Sequence, residues 1–416
     1  MPPRTTVKPR GCARVAVVGS GAHIPTSWTT ARMVLDLQSV PGCQLVALVE
    51  PDRARREQAA ASLGIPAAFS TVLDMLAARQ RGMLHVDGCF VFSSPAEHFA
   101  HVHACVTAGL HVLVKEPLVV STSDRNGPAE ARTLAAAASE AGVTLMVTAP
   151  LSYGGACQKA CELVSAGRLG TIEHLVCHME GPLRSHAEPL TAAHPLSASV
   201  ALGGGDNPSG YMWGQLSHLL AWVFRVSPDL RAEQCFAFLG CDRAGVDAYD
   251  AVTVRCSNGA TMVISGAATA PNHGRLGDFS VRIFGSAGVL EFTNNAGFAS
   301  DHTVARLCLR CHDGTESCWG PAELAGSSTS ALTPPASHHD GATATQALRS
   351  FVETSRGSSG SFVGAGPEAC VRVVETIDAM HRSATCNLPV HIDPGNQVAG
   401  CQHIPPRNLS GAGPRL

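Results

Sequence analysis

The sequence lacks several features that would place it at once in a broad class of proteins. Its 416 residues contain no long apolar run, so no membrane-spanning segment is predicted. Charged residues are only 15% and the formal net charge is −3, which argues against a general nucleic-acid binder. Apolar residues are 45%, too many for a disordered chain, and a chain of this length can bury a core without disulfides or metals.

Cysteine is also scarce for a disulfide scaffold. Sixteen cysteines in 416 residues are about 4% of the chain, below the roughly 8–10% of such scaffolds. We therefore expect buried, reduced thiols in a cytoplasmic protein. Residues 1–14 are basic but lack the apolar stretch of a secretory signal; an organelle transit peptide is the alternative. Residues 1–12 are expected to be a flexible tail, and the Pro- and Gly-rich residues 393–416 a disordered one.

Short apolar strands alternate with helical patterns over residues 13–149. Continuous apolar strands alternating with helices predict a parallel sheet covered on both faces, as in a Rossmann domain. Trp28, Ala31 and Leu35 share one face of the first predicted helix. The predicted strands lie at residues 14–18, 45–49, 89–92, 111–114 and 143–147.

From about residue 150 the pattern changes to alternation of apolar and polar residues. Asn258-Gly259 between two alternating runs is a strong hairpin signal, and the turn at 285–288 joins a second pair of strands. Gly366-Pro367 opens a late amphipathic helix. These patterns predict an α+β domain over residues 150–392, built on a large, mostly antiparallel sheet with one open face. The fold class is therefore α/β, with the α+β domain following a Rossmann domain.

A candidate dinucleotide site follows the first strand. Gly19-Ser20-Gly21 lies between a strand and a helix, where the first glycine permits a tight turn and the second permits close approach of a pyrophosphate. Ile24 replaces the third glycine, so an ordinary strand–turn–helix connection is the alternative. Glu50 ends the second strand, where an acid binds a ribose 2′-hydroxyl and repels a 2′-phosphate. NAD is therefore favoured over NADP, although Arg53 is close; a solvated helix cap also explains Glu50.

An ordered series of motifs resembles the glucose–fructose oxidoreductase / inositol dehydrogenase family. The resemblance covers about residues 13–392. It implies a Rossmann domain followed by an open antiparallel sheet, an NAD(P) cofactor, a sugar, polyol or related hydroxy-compound as substrate, and a homodimer or homotetramer. The matching runs are residues 87–95 with His98, 108–118, 167–170, 203–205 followed by Ser217-His218, 284–288 and 382–384.

The resemblance also implies roles for single residues. The implied cofactor contacts are Gly19, Ser20, Gly21, Ala22, Glu50, Ser94, Pro95, His98 and Pro117. The implied catalytic residues are His218, Lys115 and Glu116. Tyr153 is a candidate substrate contact, and so are Asn207 and Tyr211 in the Gly-rich loop before His218, for which ordinary surface-loop residues are the alternative. An imidazole that titrates near neutral pH can take a hydroxyl proton while hydride leaves the carbon; a buried structural histidine is the alternative for His218.

Three departures from the family pattern affect the expected chemistry. The family reads Glu-Lys-Pro where this chain reads Lys115-Glu116-Pro117, so Glu116 occupies the position of the family's lysine. Gly214 occupies the position of an acid four residues before His218, and the Pro95–His98 spacing is one residue short. These departures keep open two alternatives: a non-catalytic dinucleotide-binding sensor, and a glycosidase that uses bound NAD for transient oxidation.

Two apparent metal or haem patterns are interpreted as coincidences. Residues 308–312 match the c-type haem attachment pattern, and with Cys318 they also offer zinc ligands. Their alternation is typical of a strand, so neither haem nor zinc is predicted there. His98, His101, His103 and His111 lie close in sequence. His98 and His101 share a face of one predicted helix, but His111 lies in a strand, and no metal site is predicted.

Overall fold

Two sheets organise the part of the chain that the computed structural model describes. Within the described ranges no helix is long and apolar enough to cross a membrane. Those ranges are residues 11–19, 30–181, 210–241, 247–268, 278–294, 305–326, 342–357 and 364–392.

The first sheet has six strands in the order β3-β2-β1-β4-β5-β6, and every pairing in it is parallel. This confirms the predicted Rossmann-type sheet. Its strands are β1 (Ala13–Val18), β2 (Cys43–Val49), β3 (Ala67–Phe69), β4 (Gly88–Val91), β5 (His111–Val114) and β6 (Leu145–Val147). Its helices are α1 (Thr30–Ser39), α2 (Arg53–Leu63), α3 (Val72–Gln80), α4 (Pro95–Thr107) and α5 (Gly127–Glu140).

The predicted first helix is present, but its buried face is not the predicted one. Val34 and Leu37 of α1 are buried against the sheet, whereas Leu35 is 50% exposed. Trp28 lies outside the described residues, and the side chain of Ala31 is not described. Helix α1 is therefore rotated from the orientation that the spacing predicts.

The second sheet has nine strands in the order β14-β13-β12-β11-β7-β10-β9-β8-β15. Strands β7 and β10 pair in parallel, and the other pairings are antiparallel. Both predicted hairpins, β9–β10 and β11–β12, are confirmed. The strands are β7 (Ile172–Glu180), β8 (Ala232–Cys241), β9 (Asp247–Cys256), β10 (Thr261–Ala267), β11 (Phe279–Gly285), β12 (Gly288–Asn294), β13 (Arg306–Cys311), β14 (Glu316–Trp319) and β15 (Val390–His391).

One face of this second sheet is covered by helices and the other is open. Alternate residues of β9 are buried and exposed, as expected for a sheet with one covered face. A 3-10 turn at Pro150–Tyr153 leads into the covering layer. The remaining helices are α6 (Gly155–Ser165), α7 (Ser217–Val226, preceded by a π-helical turn at Met212–Leu216), α8 (Pro321–Gly326), α9 (Ala342–Ser355) and α10 (Pro367–Cys386).

Helix α9 packs on the first sheet, although its residues were predicted to belong to the second domain. Leu348 and Phe351 are fully buried in one apolar cluster with Val15, Val17 and Phe90 of strands β1 and β4. The first sheet is thus completed by a segment that follows eight of the nine strands of the second sheet in the chain. No periodicity within α9 reveals this contact.

The expectation of reduced thiols throughout is wrong at one pair. Cys308 of β13 lies directly opposite Cys318 of β14 and is joined to it by a disulfide, with their Cα atoms 4.1 Å apart. The other thirteen described cysteines are free. Two of the sulfurs that suggested zinc or haem are therefore bonded to each other. No group of three or more potential ligands within the described ranges could hold a metal ion.

Candidate functional site

Gly19 directly follows β1 and packs against the backbone of the residues that follow β4. Its φ of 89° is in the left-handed region, and its amide donates to the carbonyl of Val49 at 2.8 Å. A Cβ at this position would lie 2.8 Å from the amide nitrogen of Ser93, so only glycine fits without movement. This is the tight turn that the sequence predicts. Ser20, Gly21 and Ala22, predicted to follow it at the cofactor, lie outside the described residues.

Glu50, after β2, and the start of α4, after β4, lie on either side of β1 along the same edge. Glu50 is nearly buried, and its Oε1 accepts a hydrogen bond from the amide of Asp52 at 3.1 Å. The exposed Ser94 caps α4, its hydroxyl accepting from the amide of Ala96, and Pro95 is the first helical residue. A carboxylate at one strand end and a capped helix N-terminus at another suit a ribose and an anionic phosphate. These residues therefore fit a dinucleotide.

His98 lies beneath this edge, within the protein. It is fully buried, and its Nδ1 and Nε2 lie 3.0 Å from the carbonyl oxygen of Pro117 and 2.9 Å from that of Ser93. Burial lowers the pKa of His98 to about 4, so the ring is neutral at neutral pH. This placement argues against the predicted direct cofactor contacts of His98 and of buried Pro117. The ring, which when neutral donates to one of these carbonyl groups, instead lies between α4 and the turn that carries Glu116.

Glu116 and His218 meet where the first sheet faces α7. His218 Nε2 lies 3.2 Å from Glu116 Oε1, and the peptide bond between Glu116 and Pro117 is cis. Thr148, at the end of β6, donates its hydroxyl hydrogen to Glu116 Oε2, and the Glu116 amide donates to the same hydroxyl oxygen at 3.4 Å. The carboxylate is therefore held from two sides. Thr148 is a site residue that sequence reasoning missed.

The pKa of His218 is pulled in opposite directions. Burial lowers it below the usual range, the charge of Glu116 raises it, and the charge of Lys115 lowers it. The net direction is downward, which favours a neutral imidazole able to accept a proton. The half-buried Lys115 also lowers the pKa of His98. The structure thus brings the three predicted catalytic residues into one electrostatic cluster.

Gly214 lies in the π-helical turn before α7, four residues before His218. A Cβ added at this exposed position would meet nothing within 4 Å. No bulky group has therefore replaced the acid expected there. The carboxylate beside His218 comes instead from Glu116, which follows β5 of the first sheet.

Sequence comparisons assign the chain to a family. The profile of the oxidoreductase family with an NAD-binding Rossmann fold, GFO/IDH/MocA, matches residues 13–149. The profile of the GFO/IDH/MocA C-terminal domain matches residues 157–291. The chain belongs to the GFO/IDH/MocA oxidoreductase family. Its first domain is accordingly an NAD-binding domain. No curated protein sequence matches the chain.

Solved structures share this GFO/IDH/MocA fold. An inositol dehydrogenase homologue from Azotobacter vinelandii, complexed with NAD⁺, is 16% identical with a TM-score of 0.73, covering 92% of this chain and 98% of its own. The same homologue in complex with NADH and myo-inositol is 18% identical with a TM-score of 0.70, and the match covers 92% of this chain and 98% of the homologue. A levoglucosan dehydrogenase in complex with NADH and L-sorbose is 16% identical with a TM-score of 0.67, and the match covers 92% of this chain and 100% of that dehydrogenase. At these identities the likeness establishes the fold alone.

Two tyrosines predicted to touch substrate in this GFO/IDH/MocA protein are buried. The Tyr153 hydroxyl donates to the carbonyl of Val147 at 2.9 Å, and the Tyr211 hydroxyl donates to that of Met179 at 3.0 Å. Burial raises the pKa of both. With their hydroxyls already engaged, both placements argue against a substrate contact. Asn207, the third predicted contact, lies outside the described residues.

Proposed function

We propose that this protein is an NAD-dependent dehydrogenase that oxidises a CH–OH group of a sugar, polyol or related hydroxy-compound. The observation that carries the proposal is the 3.2 Å contact between Glu116 and His218, at the carboxyl edge of an NAD-binding sheet. When bound, NAD supplies the acceptor for the hydride that leaves the substrate carbon. The protein then has to take up the hydroxyl proton.

The cluster can take up that proton. The Glu116 side chain is 15% exposed and that of His218 is 8% exposed, so the carboxylate is the more accessible member. A substrate hydroxyl that hydrogen-bonds to this carboxylate lies beside the imidazole, and a proton taken by either group is shared through the Nε2–Oε1 contact. We assign His218 as the principal proton acceptor, Glu116 as the group that orients the hydroxyl, and Lys115 as the positive charge that keeps the neighbouring imidazole neutral.

The proposed substrate class rests on relatives that bind small hydroxyl-rich molecules. The Azotobacter vinelandii homologue was crystallised with myo-inositol, and levoglucosan dehydrogenase with L-sorbose. Both molecules are uncharged. A carboxylate at position 116, where the family carries an ammonium, also suits a neutral hydroxyl better than an acid.

The direct test is a panel of polyols, sugars and hydroxy acids with NAD⁺, monitored by NADH absorbance. The proposal predicts turnover with at least one neutral polyol or sugar, and its loss in His218→Gln. Turnover confined to hydroxy acids would contradict the substrate class. Absence of turnover together with tight NAD binding would favour a non-catalytic sensor, for which Glu116 and Gly214 are the supporting departures from the family pattern. Release of a sugar from a glycoside without net NADH would favour the NAD-dependent glycosidase.

The proposed preference for NAD over NADP depends on Glu50. We expect Glu50→Ala to weaken NAD binding by about 1–3 kcal/mol, because a charged hydrogen bond to the ribose is lost. Titration calorimetry with NAD and NADP measures this, and Glu57→Ala, which removes an exposed carboxylate of α2, is the matched control. NADP affinity equal to or above that of NAD in the wild type would contradict the role of Glu50.

We further propose a homodimer or homotetramer formed through the open face of the second sheet. Val176, Phe238, Tyr249 and Val263 are exposed large apolar side chains of four of its strands. Exposed apolar patches of this kind typically mark contact surfaces. Light scattering coupled to size-exclusion chromatography gives the assembled mass. A monomer, or an assembly unaffected by Phe238→Asp, would contradict this surface.

A cytoplasmic location also belongs to the proposal. It is supported by the thirteen free thiols in the described part of the chain. Cell fractionation with thiol alkylation before lysis would test it. Extensive disulfide bonding of these cysteines in cells would contradict it.

A further inference from the structure

A cavity of about 520 Å³ lies between helix α10 and the end of the second sheet at which strand β8 begins. Its volume is within the range of about 300–1,000 Å³ that is typical of small-molecule sites. Its polar lining comes from α10 and from residues at or next to the ends of β8, β9 and β15. These side chains are Arg231, Glu233, Ser257, Arg372, Glu375 and His391.

Arg372 presents one free nitrogen of its guanidinium group to this cavity. The residue is only 5% exposed. Its Nη1 donates to the carbonyl oxygens of Pro228 and Leu230 at 2.7 and 2.9 Å, and its Nε donates to that of Glu368 at 3.3 Å. Nη2 forms no hydrogen bond with a described residue and retains contact with solvent. A guanidinium group already held by its other nitrogens needs little reordering to bind an anion.

Arg231 brings a second guanidinium group to the same cavity. It is exposed, and its side chain forms no ion pair or hydrogen bond with a described residue. Burial lowers the pKa of Arg372, and the charge of Arg231 lowers it further. The acids Glu368 and Asp229 act in the opposite direction, each by less. The two cations therefore repel each other, and an anion bound between them would relieve that repulsion.

The two carboxylates that line the cavity do not neutralise these cations. Glu375 is engaged by a different cation, Arg132 of helix α5, with which it forms an ion pair. Glu233 is exposed and forms no ion pair with a described residue. Two guanidinium groups thus stand against one exposed carboxylate, so the cavity carries an excess of positive charge.

We propose that this cavity binds a phosphate group between the guanidinium groups of Arg231 and Arg372. A phosphate monoester carries about −1.5 to −2 charges at neutral pH, so it matches two cations better than a single carboxylate does. Guanidinium groups donate paired hydrogen bonds to phosphate oxygens, and the exposed Ser257 offers a hydroxyl donor. The cavity has room for more than a phosphate ion, so a small organic phosphate fits, and Glu233 can accept from its hydroxyl groups.

This phosphate site is separate from the candidate active site. Pro228 and Leu230, whose carbonyl groups hold Arg372, follow the carboxyl end of α7, whereas His218 lies at the amino end. The 10 residues of α7 span about 15 Å. A phosphate bound at Arg372 therefore does not compete with a substrate at His218, and the inference does not depend on dehydrogenase activity.

Isothermal titration calorimetry of the full-length protein with inorganic phosphate and with glycerol 3-phosphate tests the proposal. Saturating NAD occupies the dinucleotide site, and a constant salt concentration fixes the screening of surface charge. We expect Arg231→Gln to weaken binding about tenfold or more, because charge-assisted hydrogen bonds are lost. The matched control is Arg81→Gln, which removes an exposed arginine of the first domain. It should stay within about twofold of the wild type, because distant exposed charges are screened.

The outcomes of the titrations differ clearly. No binding of either probe, or an affinity unaffected by Arg231→Gln, would overturn the proposal. Tighter binding of glycerol 3-phosphate than of inorganic phosphate would identify an organic phosphate as the ligand, and the opposite order would identify the free ion. Acetate, which carries one charge, should bind at least about tenfold more weakly than phosphate. Equal affinity for acetate would overturn the choice of a phosphate group.

Chemical modification locates the bound anion. Phenylglyoxal reacts with accessible guanidinium groups, and mass spectrometry of the peptides reports each arginine in one sample. Phosphate should protect Arg231 from phenylglyoxal and leave Arg81 unprotected. Equal protection of both arginines, or of neither, would overturn the placement of the anion in this cavity.

Discussion

His98 and His218 are two buried imidazoles near the charge of Lys115, and their partners differ. His98 lies between the carbonyl oxygens of Ser93 and Pro117, whereas His218 lies against the carboxylate of Glu116. A carbonyl group cannot take a proton or change its charge, but a carboxylate can do both. Burial alone therefore does not indicate a catalytic histidine; the chemical nature of its partner does. Four changes test this distinction.

The largest effect is expected at His218. Replacing it by Gln removes the proton acceptor while keeping a polar side chain of similar size, so turnover should fall about 10²–10⁴-fold. NAD affinity should stay within about twofold, because Gly19 and Glu50 are untouched. Steady-state kinetics and calorimetry provide the two readouts. If activity fell only a few-fold, the two histidines would no longer be functionally distinct.

His98 should instead affect stability and its dependence on pH. The pKa of His98 is about 4 in the folded protein and about 6.5 in the unfolded chain. Between these values the unfolded state binds more protons, so folding stability falls as pH decreases from about 6.5 towards 4. A shift of this size corresponds to about 3 kcal/mol.

The variant His98→Gln should remove that contribution. Urea unfolding of His98→Gln at a series of pH values should show a weaker loss of stability in acid than the wild type shows. His85→Gln, at an exposed position, is the matched control for the loss of one imidazole. A wild-type stability that is flat over this range would contradict the buried neutral state of His98.

Glu116→Gln should reduce turnover less than His218→Gln does, and it should also shift the pH dependence of the reaction. The carboxylate raises the pKa of His218, so its loss should lower that pKa further and move the acid limb of kcat/KM to lower pH. We expect turnover to fall about tenfold, which is less than the loss expected on removing the imidazole. A pH–rate profile measures both changes. An acid limb that does not move would show that the carboxylate does not act on His218.

Thr148→Val should give the smallest effect. It keeps the carboxylate and the shape of the side chain but removes the hydroxyl that donates to Glu116. A single hydrogen bond of this kind contributes about 1 kcal/mol, so a few-fold loss of turnover is expected. Thr148→Ser should restore the donor and the rate. If Ser and Val behaved alike, Thr148 would have no role in positioning the carboxylate.

Much of the fold was predicted because the sequence signals of strands and hairpins lie within short runs of consecutive residues. Continuous apolar runs located five of the six parallel strands, and Asn258-Gly259 located a hairpin. Strand β3 was missed because its three residues are too short to show a pattern. The packing of α9 was missed because it depends on a contact between segments more than 300 residues apart in the sequence.

The site was predicted less well because it depends on contacts through space. The motifs identified Glu116 and His218. Their side chains are in contact only because the fold brings the end of β5 next to the start of α7. Thr148 is a single polar residue after an apolar strand, and sequence reasoning did not connect it with Glu116. Tyr211 was expected at the substrate because it lies in the loop before His218, and Tyr153 was a further candidate contact. Their partners here are backbone carbonyls, which no side-chain motif records.

The position of α9 has a consequence for how the protein is made. During synthesis the strands of the first sheet leave the ribosome early, but the helix that buries Val15, Val17 and Phe90 is added only after residue 342. Until then, part of an apolar sheet face stays exposed to water and to other nascent chains. The apolar core of the first domain is therefore complete only after most of the second domain has been synthesised. A chain that ends before α9 leaves an aggregation-prone apolar surface exposed.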